Sequence, residues 1–429
     1  MNRVAITGIG VVSPLGIGKD QFWSALTNGN SKGKSLKDVK SSSLFRHRHK
    51  FGSQVIMEVE DFKLENINIP SDIYDLDRYI QFAILASELA KEDAKLTNKS
   101  HELNLDRLGV SLSTAICGTK HMEEEFLKVT NNGEEPIDPM KVSPSLYLSS
   151  MSNTPSTIIA SLIGAEGPCV TLSTGCIGGI DAIGYAYEQI KSGETDIMIA
   201  GASEAPITPI TVGSFDIINC LSTQYNDEPR KASRPYDGKR DGFVLSEGSG
   251  VLILEEWTHA IERNTHIYGE ITGFSNTSNA LHMTDLVSEG EDLTRAINLV
   301  LKEANLNPHD IDYINGHGSS TPQNDKCETS AIKSAFGEYA KSIPINSTKS
   351  LEGHPLSAAS ALEIIASVLS FENGSIHATL NHEYQDEHCD LDYVPNESRD
   401  WDGDRILSIA SGFSGLHSAM ILERPRGRG

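Results

Sequence analysis

The 429-residue sequence is poor in basic residues and in long apolar runs, and each shortage excludes a class of protein. Lys and Arg number 36 against 59 Asp and Glu, so the formal net charge is −23. A chain this acidic is unsuited to nucleic acid or an anionic membrane, because the phosphates of either would repel it. No stretch reaches the roughly 18 uninterrupted apolar residues of a membrane-spanning helix. We therefore expect a chain that binds neither nucleic acid nor membrane.

Cysteine is also scarce, and the six cysteines include no C-x-x-C pair. Scattered cysteines in a long chain without an export signal indicate free thiols in the cytoplasm. The N-terminal MNRVAITGIGVVSPLG is superficially like a signal peptide, but its β-branched residues and the Ser13-Pro14 break are typical of a buried strand and turn. No phosphate-binding or dinucleotide-binding glycine motif occurs. His377, His382 and His388 lack zinc-like spacing, so no metal site is predicted.

Apolar runs of strand length alternate with helix-length stretches along the whole chain. Strands are predicted at 4–12, 169–174, 196–202, 250–256, 266–274, 311–316, 343–348, 406–411 and 418–423, and helices at 78–94, 177–191, 291–304, 325–336 and 355–371. This alternation indicates an α/β fold with largely internal sheets. Each half opens with a Gly-containing strand and later carries a Gly-flanked reactive residue, so two similar halves, 1–256 and 257–429, are predicted. The polar segments 30–66 and 219–242 are predicted to be surface excursions.

Cys176 is the strongest candidate nucleophile. It lies in CVTLSTGCIGGIDAIGYAYEQIKSG, where a strand ends near Thr174 and a helix begins at or just after the cysteine. The positive end of the helix dipole is expected to favour the thiolate. The neighbouring glycines let backbone N–H groups approach a substrate oxygen. The other cysteines are predicted to be inert core residues; they are Cys117, Cys169, Cys220, Cys327 and Cys389.

Two histidines are the next candidates. His317, in IDYINGHGSSTPQND, follows a predicted strand, and its flanking glycines are expected to expose the imidazole where α/β proteins place ligands; a solvated loop histidine is the alternative. His354, in STKSLEGHPLSAAS, is expected at the start of a helix whose first turn holds Pro355. The dipole of that helix disfavours imidazolium and keeps the ring neutral. Lys349 is either a buried charge partner or a surface lysine.

Near the C-terminus, ILSIASGFSGLHSAMILE predicts two strands joined by a tight turn at 412–415. Such a turn can aim a backbone N–H into a site, although a plain hairpin would have the same sequence pattern.

Together these motifs resemble the condensing enzymes of the thiolase superfamily. STGCIGG looks like the nucleophile motif, NGHGSST like the first histidine motif, STKSLEGHPLSAAS like the lysine–histidine motif and SGFSG like the C-terminal glycine–phenylalanine turn. SRPYDGKRDGFVLSEGSG also resembles the β-ketoacyl-carrier-protein synthase II pattern. The resemblance covers essentially the whole chain. The chain departs from the family pattern at two places. Ile177-Gly178-Gly179 replaces the usual Thr-Ser-Gly or Ser-Ser-Ser, and HPLSAAS replaces H-x-L-G-A-A-G. Both departures are expected to reshape the pocket while leaving each reactive group in place.

The resemblance implies a thiolase-like fold of duplicated βαβαβαββ halves in five α-β-α-β-α layers. It also implies malonyl and acyl thioesters as substrates, delivered on the phosphopantetheine arm of an acyl carrier protein, with no covalently bound cofactor. Cys176 would hold the growing acyl chain as a thioester. His354 would hydrogen-bond the thiol and help to extract carbon dioxide from the malonyl group, and His317 would stabilise the malonyl thioester oxygen.

Further roles follow from the same resemblance. Backbone N–H groups of Cys176 and Phe413 would form an oxyanion hole, and the Phe413 side chain would gate the pocket. Lys349 and Glu328 would hold the histidines electrostatically. The residues expected to contact substrate are Ser319, Thr321, Gly412 and Ser414.

Three segments resemble the ketosynthase-α subunit of type II polyketide synthases, which are enzymes of antibiotic biosynthesis. These segments are GGIDAIGYAY, PITPITVGSFDII and HGSSTPQND. That resemblance implies an acyltransferase that elongates chains by repeated decarboxylative Claisen condensation, in a heterodimer with a chain-length-factor (ketosynthase-β) subunit. A homodimeric fatty-acid synthase II and a non-catalytic chain-length factor are alternatives, although the latter typically lacks the nucleophile. A degradative thiolase would need a second cysteine where this chain has Ser414. RHRHK at 46–50 is either a solvated loop or a carrier-docking patch.

Overall fold

A computed structural model of the protein describes residues 1–39, 45, 47–64, 73, 75–96, 103–287 and 289–425. The strands are β1 Val4–Ser13, β2 Gly16–Ile17, β3 Lys34–Ser35, β4 Val55–Met57, β5 Leu108–Ser113, β6 Cys169–Leu172, β7 Ile197–Glu204, β8 Leu245–Ser246, β9 Gly248–Glu256, β10 Gly269–Ser278, β11 Tyr313–Asn315, β12 Ile345–Asn346, β13 Ser375–Ile376, β14 Arg399–Asp400, β15 Arg405–Gly412 and β16 Leu416–Glu423. The helices are α1 Lys19–Thr27, α2 Arg78–Asp93, α3 Thr119–Val129, α4 Ser145–Ser150, α5 Thr154–Ile163, α6 Gly178–Ser192, α7 Pro209–Ile217, α8 Trp257–Glu262, α9 Glu291–Glu303, α10 Pro322–Phe336, α11 Lys349–Glu352 and α12 Ser357–Asn373.

The main sheet has the order β12-β11-β15-β16-β10-β1-β9-β7-β5-β6, and the two halves of this order are equivalent. From the centre outward, each half has two antiparallel pairings followed by two parallel ones. The halves meet where β1 runs antiparallel to β10, with Val4 opposite Ile271. This symmetry is that of a duplicated unit, and the predicted fold class is confirmed.

Two helices lie between the halves of the sheet. α6 packs against β5 and β7 on one side and β10 and β16 on the other, while α12 contacts α6, β7, β9 and β15. Residues 357–371 of α12 are buried throughout, which explains why they are small or apolar nearly all round. On the outside, α2 covers β1 and β9, and α9 covers β10 and β16. Helices and sheets thus alternate in layers, and the strands end around the α6–α12 contact.

The two departures from the family motifs lie in contact at this central layer. A Cβ on Gly179 would lie 2.6 Å from the Ser357 carbonyl oxygen and 2.7 Å from the Ala361 nitrogen, so only glycine lets α6 approach α12 this closely. Ser360 Oγ accepts a hydrogen bond of 2.9 Å from the Ile180 N–H. The glycines of one motif and the serines of the other therefore form one complementary interface.

The prediction of a surface excursion holds for only part of the segment 219–242: residues 223–231 are exposed or half-buried, whereas residues 232–237 are buried, which corrects the prediction there. Arg234 is fully buried, and its Nε pairs with Oδ1 of the buried Asp237 at 2.9 Å. Tyr236 is buried as well, and its hydroxyl donates to Glu328 Oε2 at 3.1 Å. A polar segment can enter the interior when its charges are paired there, and composition does not reveal such pairing.

The segment 30–66 is partly buried, because β3 and β4 form a small sheet with β8 and the three residues of β4 are in the core. Residues 47–50 are exposed, as a solvated loop would be, and residue 46 of the same basic run lies outside the described residues. Within the described ranges, no helix is both long and apolar enough to cross a bilayer.

Candidate active site

Cys176 lies at the junction of a strand and a helix, as predicted. β6 ends at Leu172, a 3₁₀ turn over Gly175–Ile177 carries the cysteine, and α6 begins at Gly178. The half-buried thiol faces a cavity with about 470 Å³ of empty space, including its open mouth. Seven of the predicted site residues line this one cavity: Cys176, His317, Ser319, Thr321, His354, Gly412 and Phe413.

The thiol is not favoured as a thiolate, which corrects the expectation from the helix dipole. Burial raises the pKa of Cys176 to about 11, and the Glu204 carboxylate adds to this rise. The Lys349 ammonium and a hydrogen bond from the Phe413 N–H oppose the rise without cancelling it. The free-energy cost of removing the thiolate from water is larger than the stabilisation that the nearby positive groups supply.

This pKa has a measurable consequence. The rate of Cys176 alkylation by iodoacetamide is expected to rise about tenfold per pH unit between about pH 7 and 9, because only the thiolate reacts and its fraction keeps growing. The measurement is mass spectrometry of the Cys176 peptide in a Cys169→Ser variant, since the exposed Cys169 would compete for reagent. A rate that levels off below pH 8 would contradict the effect of burial.

The five other cysteines differ in exposure, which partly corrects the prediction that all of them are core residues. Cys327 and Cys389 are buried, Cys117 and Cys220 are half-buried, and Cys169 is exposed on β6. β6 is an end strand of the main sheet, so one side of its backbone has no neighbouring strand within the described residues.

His317 and His354 face each other in the cavity, with ring centroids 5.4 Å apart and planes at 83°. Their exposures are only 4% and 3%, so His317 is not a solvated loop histidine; it lines the cavity just after β11, where a ligand was expected. Burial lowers the pKa of both rings well below the usual value for histidine, and the Lys349 ammonium lowers both further. Both imidazoles are therefore neutral near pH 7.

Lys349 lies behind the histidines as a buried charge partner. Its Nζ donates to the His317 carbonyl oxygen at 2.7 Å and to His317 Nδ1 at 3.3 Å, and it pairs with Glu363 Oε1. Because an ammonium can only donate, His317 Nδ1 must accept, and the ring proton is on Nε2. The Nε2–H is thus the donor of His317 that is available to a molecule in the cavity.

Glu328 holds the backbone of the His317 loop and does not line the cavity. Its carboxylate accepts the N–H of His317 at 2.6 Å and that of Gly318 at 2.9 Å. Tyr236, from the buried residues 232–237, donates to the same group. Burial raises the pKa of Glu328 to about 7. The residue fixes the position of His317 through the main chain.

The entry to α12 differs from the prediction. The helix begins at Ser357, so Pro355 precedes the first turn, and Leu356 between them has a φ of 46°. His354 instead pairs with the β8 region, because its N–H donates to the Val244 carbonyl at 2.8 Å. A left-handed leucine costs on the order of 1–3 kcal/mol. This conformation places Leu356 in the cavity wall beside His354.

The turn at Phe413–Gly415 joins β15 to β16 beside the nucleophile. A Cβ on Gly412 would lie 3.7 Å from the Cys176 nitrogen, and Phe413 stands 37% exposed at the mouth of the cavity. Ser414 does not line the cavity, which corrects its assignment as a substrate contact. Its N–H and hydroxyl both donate to the Met283 carbonyl, at 2.8 and 3.2 Å, so it fixes the turn.

Ser319 and Thr321 form the opposite wall, and their hydroxyls lie 2.8 Å apart in a hydrogen bond. Thr321 also caps α10, because its Oγ1 accepts the Asn324 N–H at 3.3 Å. The wall hydroxyls are therefore held by the start of a helix, as a preformed site requires.

Sequence reasoning missed two buried carboxylates beside the site. Glu363 is the ion-pair partner of Lys349, and it is the only charged residue in 357–371. Because a single charge in a buried helix needs a partner, this glutamate could have been predicted from the sequence to form a buried ion pair. Glu204 ends β7, and its Oε1 accepts the hydroxyls of Thr114 and Ser357, each at 2.8 Å. Burial raises the pKa of Glu204 to about 7.

Comparison with known proteins agrees with this geometry. The sequence profile of the β-ketoacyl synthase N-terminal domain matches residues 1–260, and that of the C-terminal domain matches 268–383. A putative polyketide beta-ketoacyl synthase 1 of Streptomyces cyaneus is 42% identical over 99% of both chains. The tetracenomycin polyketide synthase ketoacyl synthase alpha subunit of Streptomyces glaucescens is 40% identical over 99% of this chain and 97% of its own. A 3-oxoacyl-[acyl-carrier-protein] synthase 2 of Coxiella burnetii is 39% identical over 98% of both.

Solved structures give the same result. A type II polyketide synthase ketosynthase in complex with its acyl-carrier protein and bound to the hexaketide has a TM-score of 0.91 at 40% identity, over 99% of this chain and 100% of that one. The ishigamide ketosynthase/chain length factor has a TM-score of 0.87 at 29% identity, with the same coverage. The chain belongs to the β-ketoacyl synthase family of condensing acyltransferases. The predicted function, chain elongation as a ketosynthase-α of type II polyketide biosynthesis, is confirmed by these relatives.

Proposed function

We propose that this chain condenses a malonyl unit with an acyl chain held on Cys176, and that an acyl carrier protein delivers both on its phosphopantetheine arm. The observation that carries the proposal is the cavity itself, which brings one thiol, two neutral imidazoles and the Phe413 N–H together. No bound cofactor is needed, because decarboxylation of the malonyl group supplies the carbanion.

In the first step, the Cys176 sulfur attacks the carrier-bound acyl thioester. A new S–C bond forms, the bond to the carrier sulfur breaks, and the carrier thiol leaves with the proton of Cys176. Since the pKa of Cys176 is about 11, this proton must be accepted as the sulfur attacks. The neutral ring of His354, which lies in the same cavity, can accept it and pass it on. Storage on sulfur divides the condensation into two easier steps.

In the second step, the malonyl carboxylate leaves as carbon dioxide and its electron pair develops negative charge on the thioester oxygen. The Nε2–H of His317 donates to that oxygen, with His354 beside it. Neutral donors in a water-poor site stabilise such charge without protonating the carbanion. The carbanion then attacks the acyl carbonyl on Cys176, whose oxygen is received by the N–H groups of Cys176 and Phe413. A new C–C bond forms, the S–C bond to Cys176 breaks, and the released thiolate takes a proton from water.

The remaining roles are those of support and contact. Lys349, Glu363 and Glu328 are positioning residues that fix His317, and the Lys349 ammonium also favours the neutral form of both imidazoles. Ser319, Thr321 and Gly412, which all line the cavity, would contact the phosphopantetheine arm. We place the boundary between the two halves at 256/257, where β9 ends and α8 begins. The cytoplasmic location stays a prediction.

We further propose that a chain-length-factor subunit covers one face of this chain. Among the described residues no strand pairs with the outer edge of β6, and α3, α4 and the loop between them expose Phe126, Met140 and Tyr147. The two features adjoin, because Ser156 of α5, just after α4, donates to the Val170 carbonyl of β6. A free edge beside exposed apolar side chains is a surface that a partner normally covers.

The test combines assembly with activity. Coexpressed with a chain-length factor, the chain is expected to form a 1:1 complex by native mass spectrometry and to extend carrier-bound malonyl units repeatedly, as read by mass spectrometry of the carrier. Iodoacetamide labelling of Cys169 should fall when the partner covers β6, with the buried Cys327 unlabelled throughout as a control for folding. Alone, the chain should be inactive or poorly soluble.

A fatty-acid synthase II is the second candidate, because the Coxiella burnetii relative has that name and nearly the same identity. If the isolated chain forms a stable homodimer that elongates saturated acyl carriers by one unit, and Cys169 is already protected in it, that assignment replaces the polyketide one.

A further inference from the structure

A second group of reactive side chains borders the cavity and has no part in the condensation. Ser411 lies at the end of β15 and lines the cavity one residue before Gly412. His417 is its cross-strand neighbour on β16, and Ser411 Oγ lies 2.9 Å from His417 Nδ1. The other ring nitrogen, Nε2, lies 3.0 Å from Asp292 Oδ2 in the first turn of α9. His417 thus contacts Ser411 through one ring nitrogen and Asp292 through the other.

All three side chains are nearly inaccessible to solvent, with exposures of 3% for Ser411, 2% for His417 and 6% for Asp292, and Ser411 lines the cavity. Burial alone would raise the pKa of Asp292, but its contact with His417 brings the pKa below the usual value for aspartate. The carboxylate is therefore ionised, and because it faces Nε2 at 3.0 Å it favours the neutral tautomer of His417 that carries its proton on Nε2. His417 Nδ1 is left as an acceptor for the Ser411 hydroxyl proton.

We propose that Ser411, His417 and Asp292 form a second nucleophilic site, which takes acyl groups from thioesters in this cavity and releases them to water. A nucleophile within hydrogen-bonding distance of a base that a third group orients is the signature of such a site. The ring nitrogens are exchanged relative to serine hydrolases, where Nε2 faces the serine, but the roles are the same. The expected activity is acyl-thioester hydrolysis, which would clear stalled chains from the cavity.

The chemistry balances without any further reactant than water. Ser411 Oγ attacks the thioester carbonyl, the O–C bond forms as its proton moves to His417 Nδ1, and the C–S bond breaks as that proton passes to the leaving thiol. Water then attacks the acyl-serine ester with His417 as base. The C–O bond breaks, the acid leaves, and the proton returns to Ser411. The neighbouring turn, which approaches the Cys176 nitrogen through Gly412, brings a Cys176-bound acyl chain close to this serine.

The site can be tested with a fluorophosphonate, which modifies activated serines and needs neither carrier nor partner. In a Cys176→Ala chain, intact mass and peptide mapping are expected to show one adduct, on Ser411. The Ser411→Ala change should abolish it, and His417→Gln should slow it by about 10²-fold or more, the usual contribution of a general base. Ser408→Ala removes a buried hydroxyl from the same strand outside the cavity and should label like the parent.

A second readout is free acid released from an acyl-pantetheine thioester by the Cys176→Ala chain, expected to disappear in the Cys176→Ala/Ser411→Ala double variant. Labelling of no serine, labelling equal in His417→Gln, or acid release unchanged in the double variant would overturn the proposal. Circular dichroism melting of each variant separates loss of the site from loss of the fold. Because labelling needs no condensation, failure here leaves the proposed function standing, and failed condensation leaves this site standing.

Discussion

Replacement of Cys176 by alanine is expected to abolish chain elongation while leaving the fold intact. The acyl chain would have no sulfur to occupy, and loss of a catalytic nucleophile lowers turnover by on the order of 10⁴-fold or more. Folding should survive, because a half-buried side chain at the cavity wall is exchanged for a slightly smaller one. The measurement is elongation of carrier-bound malonyl units by mass spectrometry. Cys117→Ala, a half-buried thiol outside the cavity, is the matched control and should retain elongation.

A Cys176→Gln variant separates the two chemical steps. Decarboxylation should continue in it, because His317, His354 and the Phe413 N–H remain in the cavity. Carbon dioxide release from malonyl carrier should therefore persist while elongation is lost. If no carbon dioxide forms in a folded Cys176→Gln chain, the roles given to the two histidines are wrong.

Replacement of Lys349 by methionine is expected to damage both stability and activity. It leaves Glu363 buried without its partner, and breaking a buried ion pair in this way typically costs about 3–5 kcal/mol. It also removes the donor that holds His317 Nδ1, so condensation should fall even where the chain is folded. Urea unfolding and the elongation assay measure the two effects.

Two further variants separate these effects. Lys341→Met removes an exposed ion pair with Glu338 and should change neither stability nor activity measurably. Lys349→Met/Glu363→Leu removes both buried charges and should recover much of the stability but not the activity, since an apolar pair replaces a buried ion pair at little cost. An unchanged urea midpoint in Lys349→Met would contradict the buried network.

Most strands of the main sheet, the central helices and the candidate residues Cys176, His317 and His354 could be predicted because their signals are local. β5, which pairs with both β6 and β7, was not predicted. β1, β7 and β9 bury nearly every residue, so each is visible in the sequence as a continuous apolar run of strand length. The glycines next to Cys176 and His317 indicate the ends of strands, and this signal does not depend on which residues pack against them. The prediction for Pro355 was wrong because the pairing of His354 with Val244, more than a hundred residues away, delays the start of α12.

The sequence by itself determined the class of the protein, because the reactive residues sit in short motifs whose order and spacing can be read without coordinates. Only the tertiary structure decided their chemical state. The pKa of Cys176 depends on desolvation and on Glu204, and the tautomer of His317 depends on Lys349. The burial of residues 232–237 depends on ion pairs and hydrogen bonds to distant elements. The contact of Ser411 with His417 and Asp292 likewise forms only when β15, β16 and α9 pack together. Burial and charge are properties of packed neighbours, and no local pattern contains them.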